Sequence, residues 1–186
     1  MKKLITLCLF SIFLSCDSKK TKTETVTINN KYSVELPDFL SKGTELHEEA
    51  SLQYQNLFKE FYVIILDEPK EEIIDAAPIL DIEPTLEGYY SYLKSSMEET
   101  IEEVKFMDVK NTKINGLNAK TFSVTGKVDG IDAFYKIAYI EGKDTYYQVL
   151  IWSLLKKQEK YTPEMEKIIA SFKEIGSSKS ADRSKK

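Results

Sequence analysis

The chain has 186 residues and a net charge of −4, and that charge is unevenly distributed. Residues 24–175 contain 17 lysines against 28 aspartates and glutamates, a net charge of −11, and Arg183 is the only arginine. Because nucleic-acid sites depend on basic patches and arginine forks, this composition argues against a nucleic-acid-binding protein. The length that follows residue 15 corresponds to one domain.

The amino-terminal segment is typical of a bacterial export signal. Two lysines precede an apolar run at residues 4–14, which is too short for a transmembrane helix. A small serine and then Cys16 follow, an order that resembles the bacterial lipoprotein signal, in which a diacylglycerol is joined to the cysteine sulfur. We therefore predict a signal peptide at residues 1–15. Residues 16–23 would then consist of the lipidated Cys16 and a flexible linker. The alternative is an ordinary secretory signal that leaves Cys16 as a free thiol.

Alternation of apolar and polar side chains predicts the first strands. Residues 25–36 indicate a hairpin with Asn29-Asn30 at its turn, and Ser51–Gln55 alternates in the same way. Phe61–Leu66 is a continuous apolar run, typical of a buried strand. Residues 67–84 contain three prolines and seven acidic residues, and we expect a long connection whose isoleucines partly pack down.

Two amphipathic helices are predicted. The first has its N-cap at Thr85 and extends to about Val104, with glutamates on its polar face. The second is capped by Thr162 and ends at Gly176. Each helix has a single apolar stripe, so each is expected to cover a sheet.

Strong turn signals divide the segment between these helices. Asn115-Gly116 and Asp129-Gly130 can adopt the positive φ angles of tight hairpin turns. A third turn is expected near residues 141–144, and the last strand has apolar side chains on both faces. These signals predict a four-stranded antiparallel meander at about residues 105–114, 117–128, 131–140 and 145–154.

The resulting order of elements resembles the PsbP-like α/β/α sandwich. The residues that carry the likeness are Tyr32–Pro37, the turn at residues 115–120, the strand at residues 146–154, and the helix that starts at Thr162–Met165 and leads to Ile168–Phe172. The resemblance implies an α+β fold over residues 24–175, an antiparallel sheet with helices on both faces. It also implies a role in binding or assembling with other proteins. The basic tail, residues 176–186, is predicted to be disordered.

Candidate sites are few. His47 is the only histidine, and transition-metal sites usually draw several histidine or cysteine ligands, so we predict no metal and no cofactor. No G-x-S-x-G, P-loop or H-E-x-x-H motif is present, and we expect no enzymatic activity. Acidic residues could bind calcium or a basic partner, and tyrosines could bind a ligand, although solubility and core packing are their ordinary roles. The candidate binding surface consists of Asp67, Glu68, Glu71, Glu72, Asp75, Tyr89 and Tyr90.

These patterns predict a non-catalytic lipoprotein of the cell envelope. Its domain would face the periplasm and bind another envelope protein through exposed sheet edges or through residues 67–84. The alternative is a carrier of a small apolar ligand held between helix and sheet. Because the domain is acidic and lacks arginine, we expect the lipid, and not the domain's net charge, to attach it to a membrane.

Overall fold

The computed structural model of the protein describes residues 21–176. The predictions for the signal peptide, for Cys16 and for the tail from residue 177 onward lie outside the described residues. The strands are β1 (Thr23–Ile28), β2 (Tyr32–Pro37), β3 (Ser41–Lys42), β4 (Leu52–Asn56), β5 (Phe61–Pro69), β6 (Glu102–Ile114), β7 (Leu117–Val128), β8 (Ile131–Glu141), β9 (Thr145–Leu154) and β10 (Lys173–Glu174). The helices are α1 (Lys70–Leu80), α2 (Leu86–Thr100) and α3 (Gln158–Ser171).

The strands form two antiparallel sheets. The larger has the order β3-β4-β5-β9-β8-β7-β6, and the smaller has the order β1-β2-β10. The predicted hairpin and the four-stranded meander are both present. Their turns have the expected geometry, with φ angles of 48° and 90° at Asn115 and Gly116 and of 51° and 76° at Asp129 and Gly130. The predicted α+β class is therefore confirmed.

Apolar clusters lie on both faces of the larger sheet, because successive side chains of a strand point to opposite faces. On one face, Tyr147, Val149 and Ile151 of β9 belong to a cluster that includes residues of α3 and of β2. On the other face, α1 and α2 pack over the sheet, with Phe122 and Tyr139 in the cluster beneath them. Helices thus lie on both faces, as the sequence predicted.

The bounds predicted for the last helix are wrong, because α3 begins at Gln158, directly after a turn at residues 155–157, and ends at Ser171. Thr162 lies inside α3, where its hydroxyl donates a hydrogen bond to the Gln158 carbonyl at 2.8 Å, and β10 precedes Gly176.

The long connection expected at residues 67–84 is largely helical. Strand β5 continues to Pro69, and α1 follows at once with Ala77 buried and Ile73 packed against the core. A proline just before a first turn is compatible with a helix, whereas Pro78 lies inside α1, in its last turn, and removes one backbone hydrogen bond there. Helix α1 ends at Asp81, whose φ angle of 53° is left-handed. The prolines of this segment predicted an irregular connection, but tertiary packing stabilises a helix there.

Helix α2 begins as predicted and ends earlier. The Thr85 hydroxyl accepts a hydrogen bond from the Gly88 amide at 3.1 Å, which is the expected N-cap. The chain turns extended at Ile101, so Val104 lies in β6 and not in the helix. Pairing of β6 with β7 over much of its length outweighs a spacing of apolar residues that also suits a helix. Within residues 21–176, no helix is long and apolar enough to cross a bilayer.

Candidate functional site

The structure separates the predicted binding surface into three parts. Asp67 and Glu68 lie at the end of β5 and are engaged within the fold. Lys31 donates a hydrogen bond to Asp67 at 2.5 Å, and the Asp67 side chain is only 8% exposed. Gln148 donates a hydrogen bond to Glu68. These two carboxylates link strands and are not displayed to a partner.

Glu71, Glu72 and Asp75 are exposed on α1. Helix residues advance by about 100° each, so these acids share the side of α1 that is opposite the buried Ala77. In the last turn the same side carries Ile79, which is 86% exposed. We call Glu71, Glu72, Asp75, Pro78 and Ile79 the α1 surface.

Tyr89 and Tyr90 belong to the core. They are 1% and 7% exposed, and their rings pack in an aromatic cluster. Tyr89 stacks on Tyr146 at a centroid distance of 4.8 Å, and Tyr90 meets Phe122 edge to face at 5.2 Å. Both tyrosines therefore pack in the core, which is the ordinary role of such residues. These rings occupy the space between α2 and the sheet.

Burial holds the phenols of Tyr89 and Tyr139 in this cluster in their neutral form. The Tyr139 hydroxyl has no hydrogen-bond partner among residues 21–176, and burial raises the pKa of its phenol. Burial and the nearby Glu68 carboxylate also raise the pKa of Tyr89. The buried Lys120 ammonium pairs with Glu87 at 2.7 Å and lies 4.5 Å from the Tyr90 ring centroid. Phenols held in the neutral form are poor bases and nucleophiles.

An aromatic groove that the sequence did not predict lies elsewhere on the same sheet face. The register places Tyr62, Trp152 and Tyr135 side by side on β5, β9 and β8. Trp152 stacks on Tyr62 at a centroid distance of 5.2 Å and on Tyr135 at 6.0 Å. All three side chains are half-buried, and they line a cavity of about 270 Å³ together with Ile131 and Leu154. The apolar side chains on both faces of β9 predict that both faces are covered, but the face that carries Trp152 is open at this end of β9.

Two further cavities are more polar. One, of about 680 Å³, lies between the β1–β2 and β8–β9 turns, with Glu174 accepting hydrogen bonds from the Tyr147 hydroxyl and the Lys143 amide. The other, of about 530 Å³, extends along α3 beside Thr21 and Glu35. None of these three cavities lies between α2 and the sheet.

The only histidine lies in a loop before β4. His47 Nδ1 accepts a hydrogen bond from the Glu49 amide at 3.2 Å, so this atom is already engaged. Across residues 21–176, no three side chains of histidine, cysteine, aspartate or glutamate are grouped closely enough to hold a metal ion.

Comparison with known proteins supports the fold. No family model and no curated protein matches the chain. Cyanobacterial PsbP from Synechocystis sp. PCC 6803 has a similar solved structure, with a TM-score of 0.57 at 7% identity over 85% of this chain and 95% of that one. The Saccharomyces cerevisiae Ran-binding protein Mog1p has a TM-score of 0.53 at 12% identity over 83% and 96%. LpqN of Mycobacterium tuberculosis, described as involved in cell envelope biogenesis, has a TM-score of 0.52 at 8% identity over 84% and 92%. At these identities the likeness shows the PsbP-like fold, as predicted, and nothing about function.

Proposed function

We propose that this protein is a lipid-anchored component of the bacterial cell envelope that binds another envelope protein and catalyses no reaction. The signal-like segment that ends at Cys16 supports the anchor. One structural neighbour, LpqN, is described as involved in cell envelope biogenesis, and that description favours an envelope location for this chain. The domain would face the periplasm.

The α1 surface is the observation that carries this proposal. Residues 67–84 hold seven acids against one lysine, and that lysine, Lys70, is paired with Glu141 at 3.0 Å. Side by side with these acids, Ile79 is almost fully exposed. An exposed apolar side chain beside unpaired carboxylates suits a partner that offers a basic and an apolar residue at matching positions.

The long edge strand of the larger sheet is less suited to this role. Edge strand β6 is long, but its register with β7 shifts twice, and Glu103 and Asp108 have positive φ angles of 54° and 55°. Irregularities of this kind twist an edge away from further pairing. The partner is therefore expected on α1 and not as a strand added to β6.

The ligand-carrier alternative has no support in this geometry. The aromatic rings of Tyr89, Tyr90 and Tyr139 take up the space between α2 and the sheet in which such a ligand would be held. A small molecule that co-purifies stoichiometrically with the protein, in the absence of any protein partner, would favour that alternative over the present proposal.

Site-specific photo-crosslinking tests the partner surface. A photoreactive amino acid would replace Ile79 in the full chain, expressed in its native membrane, with Val109 of β6 as a matched exposed control. We expect one discrete protein adduct from position 79 and none from position 109. Charge reversal by Glu71→Lys and Asp75→Lys should reduce the adduct. An identical adduct pattern from both positions, or no adduct, would contradict the proposed surface.

A second experiment tests the anchor. Cys16→Ala should abolish labelling by a fatty-acid probe. Because an uncleaved signal could itself hold the chain in the membrane, release is tested with a cleavable secretory signal in place of residues 1–16. That chain should appear in the soluble periplasmic fraction. Probe labelling that persists in Cys16→Ala would overturn the lipid anchor.

A further inference from the structure

The turn between β4 and β5 displays two large apolar side chains. Leu57 is 65% exposed and Phe58 is 99% exposed. The turn is built by the fold, since the Asn56 side chain accepts a hydrogen bond from the Lys59 amide at 2.8 Å and Glu60 has a φ angle of 53°. An exposed phenylalanine contributes nothing to the core, so a role other than folding is expected for Phe58.

The chain enters the domain at the same end of the molecule. The Lys22 carbonyl accepts a hydrogen bond from the Asp38 amide at 2.9 Å, at the open end of the β1–β2 hairpin. Next to Asp38, the Phe39 carbonyl accepts a hydrogen bond from the Asn56 side chain at 2.6 Å. These two hydrogen bonds place Lys22 close to the 57–60 turn.

Further apolar groups lie at this end. The register aligns Phe61, Ser153 and Phe134, so the 57–60 turn, the end of β9 and the β7–β8 hairpin share one end of the larger sheet. Ile131 of that hairpin is 55% exposed, and the aromatic groove opens beside it. Tryptophan and tyrosine are the residues that membrane proteins favour at the interface with lipid. We call this end, from Lys22 to the 57–60 turn and Ile131, the tether end.

We propose that the tether end lies on the bilayer, with Leu57 and Phe58 inserted into the interface beside the lipid anchor. This inference rests on the proposed anchor at Cys16. Lys22 lies six positions after Cys16, and six residues span at most about 22 Å. The tether therefore keeps this end of the domain close to the lipid surface.

Charge supports apolar insertion and not electrostatic attraction. The charged residues at the tether end are balanced, although the body as a whole is acidic. They are Lys22, Lys59, Lys156 and Lys157 against Asp38, Glu60, Asp129 and Asp132. The end therefore contacts a neutral bilayer as readily as an anionic one, in contrast to a polybasic site.

The same orientation leaves the α1 surface accessible. Helix α1 starts at the opposite end of the larger sheet, where the Lys70 amide donates a hydrogen bond to the Asp144 carbonyl at 3.0 Å in the β8–β9 turn. Glu71 and Glu72 in its first turn are thereby held away from the lipid headgroups. A partner could bind there while the tether end contacts the membrane.

Tryptophan fluorescence on vesicles tests this orientation. Trp152 is the only tryptophan, so Trp152→Phe provides a background for a single probe. Phe58→Trp places the probe at the tether end, and Lys143→Trp places the matched control in the exposed β8–β9 turn. The mature chain would be coupled through its Cys16 thiol to a maleimide lipid in phosphatidylcholine vesicles, some containing brominated acyl chains.

The expected result is a shift to shorter emission wavelength and strong bromine quenching for the probe at position 58 alone. Equal, weak quenching at both positions would overturn the inference. Phe58→Ser in the uncoupled chain should weaken vesicle partitioning about tenfold. Because the maleimide lipid supplies the anchor, this result does not depend on lipidation in the cell. Failure of the proposed anchor appears instead as loss of fatty-acid labelling.

Discussion

Phe58 and Phe61 lie three residues apart and are expected to contribute very differently to stability. Phe61 is fully buried, and its ring meets Tyr161 at a centroid distance of 5.1 Å and Phe39 at 5.7 Å, both edge to face. Phe58 is 99% exposed. Truncating a buried phenylalanine to alanine removes its transfer free energy and leaves a cavity, at a cost of about 3–5 kcal/mol. Truncating an exposed one changes the free energy of unfolding by less than about 0.5 kcal/mol.

Urea unfolding of the mature chain measures both costs. With a denaturant slope of about 2 kcal/mol per molar, Phe61→Ala should lower the urea midpoint by roughly 2 M, whereas Phe58→Ala should leave it in place. Phe58→Leu is the control that retains an apolar side chain. If Phe58→Ala destabilises the fold as much as Phe61→Ala, then Phe58 is needed for packing, and its exposure is no argument for a membrane contact.

Three further predictions follow from local contacts and are checked by chemical denaturation. Thr85→Ala should cost about 1 kcal/mol because a first-turn amide of α2 loses its acceptor, while Thr85→Ser should be nearly neutral. Gly126→Ala should cost about 1–3 kcal/mol, since a Cβ there would lie 2.3 Å from Ile101 Cγ2. An unchanged denaturation midpoint would contradict this expectation and show that Ile101 can move aside at no cost. Hydrogen bonds from Asn118 and from Lys70 lower the pKa of Glu141 below 4.5. The ionised Glu141 therefore stabilises the fold above pH 4.5, and this contribution is lost as the pH falls through the lowered pKa. Glu141→Gln should remove that part of the acid dependence, and an unaltered profile would contradict this assignment.

The hairpin turns could be predicted because their chemistry is local. Asn-Gly and Asp-Gly tolerate positive φ angles wherever they occur, and Asn115 and Asp129 have them here. The alternation on either side then specified the meander. Helix α1 could not be predicted in this way, because its prolines are local signals against a helix and its stability comes from packing against β5.

The end of α2 was mispredicted for a related reason. The three-residue spacing of Ile101 and Val104 suits a helix stripe, whereas in a regular strand residues three apart point to opposite faces. Both side chains nevertheless pack against the cluster beneath α2, and the register of β6 shifts between Glu102 and Lys105. The choice depends on β7, whose backbone pairs with β6. No window of sequence around α2 contains that information.

The candidate site shows the same limit. Sequence periodicity placed tyrosines on apolar faces, but it could not tell Tyr89, which is covered by the sheet, from Tyr62 and Tyr135, which line an open groove. Residue type and spacing are alike in the two cases. The difference lies in how far each helix extends over the sheet.

The sequence by itself determined several local features of this protein: the turns at Asn115-Gly116 and Asp129-Gly130, the N-cap at Thr85, and the acidic, arginine-free body. Only the tertiary structure decided which features meet. It placed Phe58 at the end where the chain enters the domain, and the acids of α1 at the opposite end. The physical reason is that turns and caps depend on neighbouring residues, whereas exposure and proximity depend on contacts between residues far apart in the chain.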